Sequence, residues 1–240
     1  MKQLSIAFSC SNADIPLNYH HEVQSLIYTL LRDTEGEDIQ YHSEGLGIRQ
    51  YKLFTFSSLR GRSKVADKRI IFDEMIYLDI RSVNNYFCDS IETALKENQV
   101  HKLCGNTITV RFAKSEERAI CDSELNIKML SPMEVHTTDD ANYSYYFTPL
   151  DIDFSEQINA NFQRKWLAYT GNPPVGGIEV AVTNLGAKDK YITTYKGIHI
   201  NGWRGKYILS GNPEYLNFLY YCGLGARNSS GFGMFEIIGT

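Results

Sequence analysis

Residues 223–236 read GLGARNSSGFGMFE, where two glycine-apolar-glycine triplets, Gly223-Leu224-Gly225 and Gly231-Phe232-Gly233, flank five small or polar residues that include Arg227. Glycines at this density let backbone N–H groups approach a phosphate chain in conformations that a side chain would block. The planar guanidinium of Arg227 adds a donor pair suited to phosphate oxygens. The stretch is not a dinucleotide fingerprint, which needs a strand before its glycines and a helix after them, because here a helical pattern precedes and a strand pattern follows. Gly223, Gly225, Arg227, Gly231 and Gly233 are therefore the first candidates for contact with a polyanion, and a glycine-rich turn with no ligand is the rival reading of the same residues.

Charge is segregated along the chain. The formal net charge is −4, yet the window 48–71 holds Arg49, Lys52, Arg60, Arg62, Lys64, Lys68 and Arg69 against Asp67 alone. A second window, 161–206, holds Arg164, Lys165, Lys188, Lys190, Lys196, Arg204 and Lys206 against Glu179 and Asp189. Acidic residues gather in 33–38, 116–124 and 139–156. Such separation is what a polyanion-binding surface requires, although solvated loops produce it too. From these windows Arg60, Arg62, Lys64, Lys188, Lys190 and Lys196 are expected to touch phosphate. The five cysteines are scattered, with no CxxC pair and no histidine spaced to complete a zinc site, so they read as reduced core residues and no metal or cofactor is expected. No run reaches the ~18 apolar residues of a membrane span, and the start MKQLSIAFSCSNAD turns polar too soon for a signal peptide, so a cytoplasmic protein is expected.

The elements that must position these groups follow from hydrophobic period. Leu4, Ile6 and Phe8 alternate as in a strand, and Val23, Leu26, Ile27, Leu30 and Leu31 form one apolar helix face. LFTFS (53–57) and IIFDEMIYLDI (70–80) read as a hairpin whose basic connection, LRGRSKVADKR, is an exposed tip. A helix through Val83, Phe87, Ile91 and Leu95 and a strand through Ile108, Val110 and Phe112 complete the order strand, helix, strand, strand, helix, strand. The second half repeats it: a strand near Leu125–Val135, an aromatic segment at 142–147, a helix with Phe154, Ile158, Phe162 and Trp166, strands near Ile178–Val182 and within 191–209, a helix opened by Asn212 and Pro213, and a last strand in 232–238. The expected fold class is α+β, with two tandem ferredoxin-like βαββαβ units of the RNA-recognition-motif kind, residues 1–120 and 121–240. Such units leave one sheet face open, with tyrosine and phenylalanine available for base stacking.

The Gly-apolar-Gly, five-residue, Gly-apolar-Gly pattern closing a double βαββαβ chain resembles the signature loop of CRISPR-associated repeat-RNA (pre-crRNA) processing endoribonucleases, in the repeat-associated RNA-binding protein superfamily. IPLNYHHEVQSLIYTLL at 15–31 resembles that family's first helix and KLFTFS at 52–57 its following strand. The resemblance implies a metal-independent endoribonuclease that cuts CRISPR repeat RNA in precursor transcripts to release guide RNAs. Its alternative is a non-catalytic repeat-RNA-binding subunit of a CRISPR effector complex, whose other subunits would then be partners. An unrelated glycine-rich α+β binding protein leaves both matched termini unexplained.

RNA is cut without metal when its own 2′-hydroxyl attacks the adjacent phosphorus in line, leaving a 2′,3′-cyclic phosphate and a 5′-hydroxyl. One group must take the 2′ proton, one must protonate the leaving oxygen, and positive charge must meet the phosphorane. Members of the resembled family use a tyrosine on the first helix, a histidine in the loop after it and a lysine at the next strand, which correspond here to Tyr28, His42 and Lys52. Helical geometry supports Tyr28 independently, since with Val23, Ile27 and Leu30 facing the core it projects to the other side, near His21. The acidic loop 33–47 would raise the pKa of His42 while repelling RNA. Some members carry their histidine on the first helix, so His21 and His20 are substitutes.

Overall fold

The computed structural model describes residues 1–32, 45–141 and 143–239. His42 lies outside the described residues.

The first half forms a five-stranded antiparallel sheet. β1 (Lys2–Ser9) lies between β6 (Met75–Ser82) and β8 (Asn106–Glu116), β3 (Phe54–Phe56) flanks β6, and β7 (Val100–Leu103) flanks β8. Leu4 pairs with Ile80 and Ile6 with Leu78 in register, so the period-2 alternation of both strands sends their apolar residues to one face. There they meet Val23, Ile27 and Leu30 of α1 (His20–Arg32) and Phe87, Ile91 and Leu95 of α2 (Asn85–Glu97). The Asn84 side chain caps α2 by accepting from the Tyr86 amide. β7 and β8 are joined by Cys104-Gly105, both with positive φ, the two-residue turn whose twist matches a hairpin.

The second half repeats the arrangement with a four-stranded sheet in the order β12 (Ile178–Asn184), β15 (Lys206–Gly211), β9 (Glu124–Met129), β16 (Phe235–Ile237). α3 (Phe154–Thr170) and α4 (Pro213–Cys222) cover one face. Asn212 accepts from the Glu214 amide and Pro213 occupies the first turn of α4, as the sequence implies. In each half the strand order is second, third, first, fourth of a βαββαβ unit, so the chain is a tandem ferredoxin-like fold.

Three expectations need revision. The segment 70–80 is two strands, β5 (Arg69–Phe72) and β6, because Asp73 and Glu74 break it. β5 joins β4 (Ser63–Ala66) and β2 (Ala13–Pro16) in a separate three-stranded sheet, so the basic tip between β3 and β6 is itself a sheet, and its Lys64 side is exposed. The region 191–209 holds a hairpin of β13 (Lys190–Tyr195) and β14 (Ile198–Trp203) before β15 begins. A smaller hairpin pairs β10 (His136–Thr138) with β11 (Ser144–Tyr146).

The two cores are not divided by sequence position alone: Leu53 and Val83 pack with the second core. All five cysteines are free, but Cys121 is exposed rather than in a core. No helix among the described residues is long and apolar enough to cross a membrane.

Candidate active site

The glycine-rich loop is folded inward. Gly223, Gly225, Gly231 and Gly233 are all buried and all have positive φ. A Cβ on Gly233 would sit 1.9 Å from the carbonyl oxygen of Leu224, and one on Gly231 would sit 2.3 Å from the Phe56 ring. The amides of Gly223, Gly231 and Gly233 donate to the carbonyls of Leu219, Asn228 and Pro132. The glycines thus serve close packing, and these three amides are not available to cradle phosphate as the sequence suggested. What the loop turns outward is Ala226, Arg227, Ser229 and Ser230, all part-exposed.

A lysine that the sequence placed in a basic surface window sits beneath this loop. Lys165 of α3 is 2% exposed, and its ammonium donates to the carbonyls of Gly223 (2.6 Å) and Gly225 (3.2 Å) and to Asn228 Oδ1 (3.1 Å). Three donors meet three acceptors, the arrangement that makes a buried ammonium tolerable. Burial lowers its pKa. Asn228 donates in turn to Leu224 and Phe232 carbonyls, so one lysine and one amide hold both triplets.

His20 holds the loop from the other side. The ring is 1% exposed and stacks on Tyr19 and Phe232. Nδ1 lies 3.0 Å from the Ser230 carbonyl and Nε2 3.0 Å from the Tyr191 hydroxyl of β13. A carbonyl only accepts, so Nδ1 carries the proton and Nε2 accepts from the tyrosine. Burial pushes its pKa down to about 4. With both nitrogens engaged inside the protein, His20 is a strut between α1, β13 and the glycine loop.

Lys52 lines a cleft with this loop, and α1 carries Tyr28 one turn beyond Gln24, which is hydrogen-bonded to the loop. Tyr28 is half-buried against the rim of the first core, edge-on to Phe54 with ring centroids 6.0 Å apart, rather than projecting clear of it. Burial first, and Tyr195 second, push its phenol up to about 12, so it is protonated at neutral pH and can donate. Lys52 precedes Phe54 by two residues and lines a cleft with Arg227, Asn228 and Ser229. On α1, Gln24 donates to the Ser229 carbonyl at 2.7 Å and accepts from Tyr195. The exposed His21 lies edge-on to that Tyr195, 5.9 Å between centroids.

A further group escaped sequence reasoning. Glu134 is fully buried, and its Oε1 is 2.6 Å from His136 Nδ1. Its Oε2 lies 3.9 Å from Arg227 Nε, without hydrogen-bond geometry. His136 lines the Lys52 cleft and an adjoining one with Arg49, Asn161 and Arg164. A Glu-x-His spacing at the entry to β10 is the sequence signal for it.

Residues 114–237, slightly more than half of the chain, match the family model described as CRISPR associated protein Cas6, C-terminal. The chain belongs to this family. It is similar to the CRISPR-associated endoribonuclease Cas6 1 of Methanocaldococcus jannaschii, 28% identical over 226 residues with 92% of this chain and 86% of the relative covered. It is also similar to the CRISPR-associated endoribonuclease Cas6 of Pyrococcus furiosus, 26% identical over 234 residues, covering 94% and 84%. A solved structure reported as characterization of a Cas6-related gene from Pyrococcus furiosus shares the fold, with TM-score 0.86, 20% identity and 98% of each chain covered.

The Cas6 C-terminal match takes in Lys165, the Glu134–His136 pair and the whole glycine loop, and stops short of α1 and Lys52. The basic candidates are dispersed. Arg60 is paired with Asp79 at 2.6 Å and lines a separate groove with Lys128, Arg204 and Lys206, between the two sheets. Arg62, near Asp73 at 3.1 Å, is almost wholly exposed, as is Lys64. Lys188 and Lys190 are exposed beside β13, and Lys196 stands at the tip of the β13–β14 hairpin.

Proposed function

We propose that this chain cuts CRISPR repeat RNA within precursor transcripts, without a metal ion, through attack of the 2′-hydroxyl on the adjacent phosphorus. The observation that supports the reading is the cleft that Lys52 lines with the glycine loop, a loop also held by Gln24 one helical turn from Tyr28, in a Cas6-family chain whose relatives are named as endoribonucleases. Lys52 is the electrostatic partner of the crowded phosphorane. Tyr28, protonated at neutral pH, positions the reacting ribose or supplies the leaving oxygen's proton, and His42 exchanges the second proton.

The RNA path extends beyond the reacting bond. Ala7 of β1 pairs with Tyr77 of β6 on one side and Phe112 of β8 on the other, so the two exposed rings lie in one row across the open sheet face. Exposed rings on a sheet are stacking platforms for single-stranded RNA. In the groove lined by Arg60, Lys128, Asp189, Arg204 and Lys206, where Arg60 pairs with Asp79 and Lys128 with Glu236, Arg204 and Lys206 supply the charge to follow the strand's phosphates.

The test is incubation of the purified protein with its own locus's repeat RNA in EDTA, beside an RNA carrying one 2′-deoxy at the cut site. Cleavage of the first to a cyclic phosphate, and survival of the second, are expected. Lys52→Ala and His42→Ala are expected to slow single-turnover cleavage by ~10²–10⁴ with repeat affinity nearly unchanged. Normal cleavage by His42→Ala together with loss in His21→Ala would transfer the proton-exchanging role to His21. Binding of both RNAs without cleavage would make the chain a repeat-binding subunit instead.

A further inference from the structure

The clefts that share His136 form one continuous groove, from the Arg49–Leu53 segment, past the start of β10, to α3 and the glycine loop; Arg49, His136, Asn161, Gly225 and Ala226 line both parts. Arg49, Lys52, Arg164 and Arg227 contribute positive charge, and no carboxylate among the described residues lines it. Among the described residues Glu134 engages His136 Nδ1 from outside the groove lining. A ring fixed in this way presents Nε2 as its remaining polar atom, with the tautomer set by the carboxylate behind it.

Two residues of the groove each carry an unsatisfied polar atom. Asn161 is 9% exposed and its Oδ1 has no hydrogen-bond partner among the described residues; the Tyr51 hydroxyl is likewise buried and unpartnered. Buried polar atoms normally find partners, so each orphan is a cost to the free protein. Both residues line the groove while these two atoms are closed to solvent, so a ligand that brings its own donors and acceptors would satisfy them after a turn of each side chain. The cations ask for an anion in the same ligand. A nucleotide combines the two: a phosphate for the arginines and lysine, and a base whose edge hydrogen-bonds an amide, a phenol and an imidazole.

We propose that this groove is a base-reading subsite for one nucleotide of the RNA, next to the cleaved bond. Asn161 and Glu134-held His136 contact its base, and Arg49 and Arg164 hold its phosphate. The position next to the cut rests on the cleavage reading above, since it derives from Lys52 lining the same groove. The base-reading itself does not depend on cleavage.

Binding of a repeat RNA blocked by a 2′-deoxy at the cut site tests the subsite. Single abasic sugars are placed at successive positions on both sides of that bond, and Kd is read by fluorescence anisotropy. In the unsubstituted protein one abasic position is expected to weaken binding about tenfold, equivalent to ~1.4 kcal/mol. His136→Ala and Asn161→Ala are each expected to weaken intact RNA by a similar factor and to erase the penalty at that single position. Arg49 is exposed, so Arg49→Ala leaves the fold intact; it is expected to lower the slope of log K against log salt by ~0.7. Additive penalties at every abasic position, or unaltered affinity in His136→Ala with an unaltered salt slope in Arg49→Ala, would overturn the subsite. Failure of the unsubstituted protein to cut an unblocked repeat would overturn the cleavage reading alone.

Discussion

His20 shows how little a residue's type says about its work. A histidine on the first helix is what proton-transfer chemistry would look for, yet the neighbour one position on, His21, faces solvent while His20 is sealed between Tyr19, Phe232, Tyr191 and the Ser230 carbonyl. Its pKa in the folded protein, about 4, lies below the ordinary 6.5. As pH falls the unfolded chain therefore takes up the proton first. The contribution is present in full above pH 6.5 and is lost as pH falls toward 4. His20→Phe keeps the ring and removes the titration. Between pH 7 and 4.5 the unfolding free energy of the unsubstituted protein is expected to fall by roughly 2–3 kcal/mol more than that of the variant, measured by urea unfolding. Parallel pH curves would show that another group carries the acid sensitivity. Lys165 makes the same point with opposite sign, because a lysine counted as surface charge proves to be the peg under the glycine loop.

Among the elements, the glycine loop was legible as unusual, but the direction its backbone faces was not. The spacing of the triplets marks the segment, but a string of residues does not say whether backbone is bared toward a ligand or toward the protein's own carbonyls. Gly233 faces the Leu224 carbonyl at 1.9 Å from where a Cβ would be, whereas Gly197, in the β13–β14 turn, has open space at that point and a similar positive φ of +82°. Gly197→Ala is expected to cost about 1 kcal/mol of stability from backbone strain alone. Gly233→Ala is expected to cost at least 3 kcal/mol, since the backbone must also move. Equal midpoints in a urea titration would mean that the loop is loose enough to yield. The β13–β14 hairpin was the other element hidden from hydrophobic period: its two strands and β15 follow one another with two-residue joints and alternate alike, so they merge into one segment of strand pattern. The hairpin supplies Tyr191 and Tyr195, which rest on α1 and settle the surroundings of His20, Gln24 and Tyr28.

The whole molecule is held together by polar groups that bridge the two halves. Arg81 of β6 is 3% exposed, stacks 3.6 Å from the Tyr220 ring centroid on α4 and donates to the Phe235 carbonyl on β16. Burial pushes its pKa down to about 10, which leaves it charged at neutral pH. Arg81→Ala strips a buried carbonyl of its partner and opens space over Tyr220; a loss of about 3–5 kcal/mol is expected, read from the urea midpoint. An unchanged midpoint would show that the halves are joined elsewhere. The sequence by itself determined the repeated βαββαβ order, the helix start at Asn212 and Pro213 and the family to which the chain belongs, because these rest on local periodicity, capping chemistry and short motifs. Tertiary structure alone decided which histidine is buried, which lysine is a peg, and that His136, Asn161 and Arg49 share a groove. Those facts depend on contacts between residues tens to more than a hundred positions apart, and neither hydrophobic period nor charge count records which distant segments touch.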